Sequence, residues 1–236
     1  MEDFTSTFGN SAADALPAER AQFIRKTYLL LAAAVLAFIV VEGFLFASGA
    51  AGAILSVLSF GGSIGWLLVL VAFMGISYLA NRWAMSDVSS TTQYLGLGVY
   101  IIAEAVIFVP LIAIAMYKSG DSSVLAQAGI VTLGLFLGLS ATVFLTRTDF
   151  SFLGPILAIG GFVALGAIVA GALFGFSLGS FFAFAMVAFA GSAILYNTSN
   201  VMLRFNTNQY VAASLTLFAS IALLFWYILS IFSSRR

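Results

Sequence analysis

Residues Phe150 to Leu203 read FSFLGPILAIGGFVALGAIVAGALFGFSLGSFFAFAMVAFAGSAILYNTSNVML, 54 consecutive positions without a charged side chain. A helix that crosses a bilayer needs about 20 apolar residues. The stretch therefore holds two spans joined by a short turn, which the glycines place near Gly175 to Gly179. Soluble domains carry roughly 25% charged residues, whereas this chain of 236 residues has 8% charged and 62% hydrophobic. Its natural solvent is lipid.

Charges serve as punctuation outward from this run, because an ionised side chain at the bilayer centre costs on the order of a few kcal/mol. Arg20, Arg25 and Lys26 precede a first span, Glu42 stands near its far interface, and Arg82 follows the second. Glycines interrupt the stretch between them, so the second span is set late. Further spans end at the turn Lys118 to Asp121, at Arg147 to Asp149, and at Arg204 to Asn208. The predicted spans are about 27-47, 64-82, 93-117, 124-146, 152-174, 179-201 and 209-231. The expected architecture is an all-α integral membrane domain of seven helices over 20-236, preceded by a flexible cytosolic tail over 1-19. That tail is polar and lacks the basic start and apolar core of a cleavable signal.

Lysine and arginine in short loops are retained on the cytoplasmic side. A cytoplasmic N-terminus puts Arg20, Arg25, Lys26, Arg82, Arg147 and Arg204 inside, leaving Lys118, Arg235 and Arg236 outside. Small residues at i, i+4 spacing, Gly134 with Gly138 and Gly166 with Ala170, predict close helix packing within the bundle.

The composition also excludes chemistry. Nine basic and nine acidic residues cancel, which argues against a nucleic-acid partner. Neither cysteine nor histidine occurs, so disulfides, the usual zinc sites, histidine-ligated haem and Ser-His or Cys-His catalysis are out of reach. No cofactor or metal is expected. Aspartyl proteolysis needs two facing acids in the membrane, and every aspartate falls in the tail or near a loop. The reading is a protein that is not an enzyme.

Polar groups inside spans point to function, because the bilayer penalises them unless they are paired or line a wet cavity. Glu104, near the middle of the third span and six residues before the helix-perturbing Pro110, is the leading ion-handling or pH-sensing candidate. Its structural alternative is a carboxyl bonded to a neighbouring helix. Arg82 reads as a cytoplasmic anchor that could also latch a carboxylate. Asn197 and Ser220 are neutral hydrogen-bonding groups in the last two spans.

Several strings carry a family likeness. Phe144-Leu145-Thr146-Arg147-Thr148-Asp149-Phe150-Ser151-Phe152-Leu153-Gly154 resembles the transmembrane Bax inhibitor family, as do Phe23 to Leu30, Ile194 to Asn200 and Tyr210 to Phe218. Glu104 resembles a third-helix Glu-Gly pattern of that family, with Ala105 replacing the glycine. The resemblance covers about 23-232 and implies seven helices, the last surrounded by the other six. In the calcium-leak members it implies two aspartates on the last two helices that share a proton, assisted by an arginine that Arg82 matches. Here Asn197 and Ser220 occupy those two positions, and neither titrates, so no shared proton forms.

Serine at the second position, within Thr216-Leu217-Phe218-Ala219-Ser220, resembles the bacterial YccA-type branch. That branch implies a modulator or substrate of the membrane-anchored AAA protease FtsH, gripped by a cytosolic tail. The expectation is a multi-pass protein of the bacterial inner membrane acting in membrane protein quality control. The alternative is a pH-sensitive leak for calcium, protons or another cation, with a degenerate sensor.

Overall fold

The computed structural model describes residues 11–86 and 89–234. Among these are eight helices, α1 (Pro17–Ala47), α2 (Ala50–Leu58), α3 (Gly62–Ala84), α4 (Ser90–Ser119), α5 (Ser123–Thr146), α6 (Leu153–Phe174), α7 (Gly179–Leu203) and α8 (Tyr210–Ser234). All but α2 are long and apolar enough to cross a membrane, in agreement with the seven predicted spans. Most helices overrun the predicted edges, because a helix continues through the interface until its last orphan carbonyls are capped. Pro17 opens α1 at a position where a missing N–H costs nothing, with Glu19 in the same turn. Gly120 and Gly175 close α4 and α6 in the left-handed conformation.

Helix α2 departs from expectation. The glycine-interrupted stretch was read as a connection, yet Gly49 and Gly61 adopt φ of 78° and 83° and serve as the N-caps of α2 and α3. They fold the connection into a short helix on the face opposite the N-terminus.

Helix α8 occupies the centre. It packs directly on α1, α3, α4, α5 and α7, while α6 closes the wall by lying against α3 and α7. The surrounding order is α1, α4, α3, α6, α7, α5. Tyr28 of α1 joins the last to the first, with its ring 6.3 Å from Phe136 and 5.6 Å from Phe144 on α5. Apolar side chains of the outer helices face the lipid, among them Leu36, Leu68, Ile159 and Phe162.

The predicted small-residue contacts are not where the helices meet. A Cβ placed on Gly134, Gly138 or Gly166 would meet nothing within 4 Å. The close approach lies instead at Gly96 of α4, where a Cβ would stand 2.6 Å from the Ala80 carbonyl oxygen and 2.9 Å from the Ala84 nitrogen. Spacing alone identifies a smooth helix face but not the helix that faces it.

Ahead of α1, the expected tail divides. Residues 1–10 lie outside the described residues. Ser11 forms an antiparallel bridge with Asn206, and the Ala12 amide donates to the Phe205 carbonyl at 2.8 Å. Ala12 is fully buried. The segment just before α1 is thus pinned to the loop that leads into α8.

Two outcomes follow. Gly96→Ala costs about 1–3 kcal/mol by overpacking the α3–α4 contact, read as a lower melting temperature in detergent. Because the chain has no native cysteine, Thr148→Cys and Ser122→Cys, each labelled in sealed vesicles with an impermeant maleimide, react from opposite faces. Reaction from the same face would overturn the span count between them.

Candidate functional site

Helix α4 brings Glu104 into the bundle, where its Oε1 accepts a 2.8 Å hydrogen bond from the Tyr100 hydroxyl one turn earlier. The carboxyl lines a cavity of about 600 Å³. Its walls are mostly aromatic and aliphatic, with Trp66 and Phe73 from α3, Phe182 from α7, and Trp226 and Tyr227 from α8. The partner of Glu104 therefore comes from its own helix, through the i, i+4 spacing that puts two side chains on one face. Tyr100 was not singled out from sequence, although that spacing was visible.

Arg82 does not join this group. It is exposed in the last turn of α3. The α3–α4 contact at Gly96 lies beside Ala80 and Ala84. Glu104 follows eight residues later, roughly 12 Å along the axis at 1.5 Å per residue.

Asn197 and Ser220 do meet. The Asn197 Nδ2 donates to Ser220 Oγ at 2.8 Å, and that hydroxyl donates in turn to the Thr216 carbonyl at 3.0 Å. The α7–α8 contact at this level is a neutral hydrogen bond. Its geometry does not require a proton whose occupancy changes with pH.

Below it, toward the N-terminal face, α7 is tied to the α5–α6 loop. Arg147 ends α5 at φ 54°, and this left-handed turn brings Asp149 round to α7. Asp149 Oδ1 accepts from the Ser151 amide at 2.9 Å and from the Ser199 hydroxyl at 3.4 Å. The Ser199 hydroxyl accepts from the Phe150 amide at 3.0 Å, and Arg204 reaches Asp149 at 3.9 Å. The hydrogen bond from the Ser151 backbone, helped by the Ser151 side chain, Arg204 and Ser199, holds the Asp149 carboxyl below its ordinary value. Sequence reading marked this string for its family likeness without finding its partners on α7, which lie about 50 positions away.

Glu42 lies five residues before the end of α1, near the far interface, but its side chain is turned inward: it is only 7% exposed, lines a recess shared with Phe218 and Phe225 of α8, and has neither carboxyl oxygen bonded to protein. Helical spacing held the signal: Thr27, Leu31, Ala34 and Glu42 all lie on the buried face of α1.

A central helix caged by six others, with buried carboxyls but no cluster of metal-ligating residues among the described positions, defines a multi-spanning α-helical membrane protein. Residues 20–236 match the family described as Inhibitor of apoptosis-promoting Bax1, and the chain belongs to this Bax inhibitor family. It is 31% identical over 178 residues to Modulator of FtsH protease YccA of Escherichia coli, covering 73% of this chain and 78% of that protein. An uncharacterized protein of Pseudomonas aeruginosa is 30% identical over 171 residues, 70% of this chain and 72% of its own. Bax inhibitor 1 of Schizosaccharomyces pombe is 28% identical over 173 residues, 70% of this chain and 61% of its own. No solved structure matches the chain.

The Asp149 network makes a pH-dependent contribution of definite sign. A carboxylate whose native pKa lies below its unfolded value stabilises the fold above the ordinary carboxylate range, and that contribution is lost as pH falls through the native pKa. Acid titration of the wild type therefore shows a destabilising step below about pH 4 that Asp149→Asn removes, measured by thermal melts across a pH series. An unchanged profile would exclude the step.

Proposed function

We propose that this chain is a non-enzymatic protein of a bacterial inner membrane that acts on membrane protein quality control by binding a membrane-anchored AAA protease of the FtsH type. The observation that carries the reading is the 31% identity, over 78% of its length, to a protein named as a modulator of FtsH protease. The neutral Asn197–Ser220 bond supports it, because the acid pair implied for calcium-leak relatives is replaced at both positions by groups that do not titrate. Glu104 alone does not rebuild that pair: its observed partner is a tyrosine hydroxyl. The cation-leak alternative draws no support from this arrangement.

On this reading the N-terminus is cytoplasmic, which puts the α3–α4, α5–α6 and α7–α8 loops on the protease side. Arg82, Arg147 and Arg204 then satisfy the positive-inside preference. The proposed contact is the N-terminal segment ahead of Ser11, the residue that pairs with Asn206. A protease that draws in a terminus would pull against this bridge and the buried Ala12, so pinning the segment favours regulated binding over free access.

The test is deletion of residues 2–10, which spares Ser11, Ala12 and the start of α1. The full chain co-purifies with the protease, and the deletion variant loses most of that association while its melting temperature is unchanged. Equal co-purification and equal turnover of the two would overturn the proposal.

A further inference from the structure

Helices α1 and α5 touch through Tyr28 near the N-terminal face but diverge toward the other, leaving a recess over α8 of about 600 Å³. Val35, Phe38 and Phe46 of α1, Leu125 of α5, and Phe218 and Phe225 of α8 contribute to its wall. Ile39, Ile130 and Leu133, also along the recess, are exposed on the lipid-facing surface, so it opens sideways to the bilayer. Gly43 and Gly129 contribute no side chain, and a Cβ on either would meet nothing within 4 Å.

Among the described residues, Glu42 is the one charged side chain lining this recess. Both of its carboxyl oxygens are buried without a protein partner. A buried polar atom left unpaired is costly, and a carboxyl has two such atoms to satisfy. Thr132, also in the lining, spends its proton on the Ala128 carbonyl at 2.8 Å, so its oxygen offers acceptor capacity only. Apart from these acceptors the lining is almost entirely hydrocarbon.

We propose that this recess binds a lipophilic primary amine, its alkyl chain along the apolar wall and its ammonium group donating to Glu42. An ammonium suits the two unpaired carboxyl oxygens: it brings three N–H donors and no acceptor, plus the positive charge that complements a carboxylate. A hydroxyl brings one donor and leaves an oxygen unmatched. A choline headgroup has no N–H to give. The amine has two possible sources, a free long-chain amine or the headgroup of phosphatidylethanolamine.

The probe is dodecylamine, added to the full chain in phosphatidylcholine nanodiscs and followed by native mass spectrometry, with dodecanol as the uncharged control. The wild type retains one dodecylamine and binds dodecanol at least tenfold more weakly. Glu42→Gln preserves the shape of the side chain and lowers amine retention by roughly tenfold, as for loss of a charge-assisted hydrogen bond. Gly129→Leu fills the recess with Glu42 intact and also abolishes retention, so the result does not rest on one variant. Replacing half the lipid by phosphatidylethanolamine distinguishes the sources: competition with dodecylamine assigns the headgroup, and unchanged retention assigns the free amine. Equal binding of dodecylamine and dodecanol, absence of both, or full retention by Glu42→Gln in a folded protein would overturn the proposal.

Discussion

The bundle depends on a central helix that must be polar enough to be specific and yet demand nothing from its neighbours. Helix α8 meets this constraint with hydroxyls that satisfy themselves. Ser214, Thr216, Ser220, Ser230 and Ser233 each donate to the carbonyl four residues earlier, at 2.7, 2.6, 3.0, 2.8 and 2.7 Å. Away from water an unpaired hydroxyl is costly, but one folded back on its own helix can face any surface. Two of these groups also face a neighbour: the single Ser214 proton is shared between the Tyr210 carbonyl and the Thr27 carbonyl of α1, and the Ser220 oxygen accepts from Asn197 of α7. Those two contacts orient α8, and close packing with Phe108, Phe38 and Tyr100 fills the remaining space.

Polar fastening is concentrated toward the N-terminal face. There the Ser11–Asn206 bridge, the Asp149 network and the Tyr94–Tyr210 hydroxyl pair at 3.2 Å join segments far apart in sequence, and Lys26 lies 5.4 Å over the Tyr210 ring. Toward the other face the helices are held mainly by apolar contact. Lipid is as apolar as leucine, so such contact provides little resistance to separation. The opening between α1 and α5 fits this asymmetry: the helices meet where aromatic rings interlock and part where glycines and aliphatic chains face each other.

How much of this was legible follows from which interactions are local. The seven spans were, because charge at the bilayer centre is costly and each long uncharged run must be a helix. The same rule gave the depth of Glu42 near the end of the first span but not its direction; the helical stripe through Thr27 and Leu31 turns it inward. Glu104 was recognised as intramembrane, and its tyrosine partner sat one turn away. The Asn197–Ser220 bond was implied only by family likeness. The Ser11–Asn206 bridge had no readable signal at all, because a backbone pairing across almost the whole chain leaves no mark on residue type. The failure of Gly134 and Gly138 as packing sites has a related cause: they lie on the lipid side of α5, which nothing in their spacing reveals.

The Asn197–Ser220 bond separates two properties that an acid pair at the same positions would combine. A shared proton both holds two helices together and makes their contact depend on pH, because loss of that proton sets two like charges side by side. An amide and a hydroxyl keep the hydrogen bond and the approach of α7 to α8 without introducing charge at any physiological pH. The bond therefore supplies cohesion without a switch. Further along the same interface, α7 is tied through Arg204 and Ser199 to an exposed carboxylate that titrates only in acid. Neither contact places two like charges between the helices near neutral pH, so neither provides an electrostatic reason for α7 and α8 to part there.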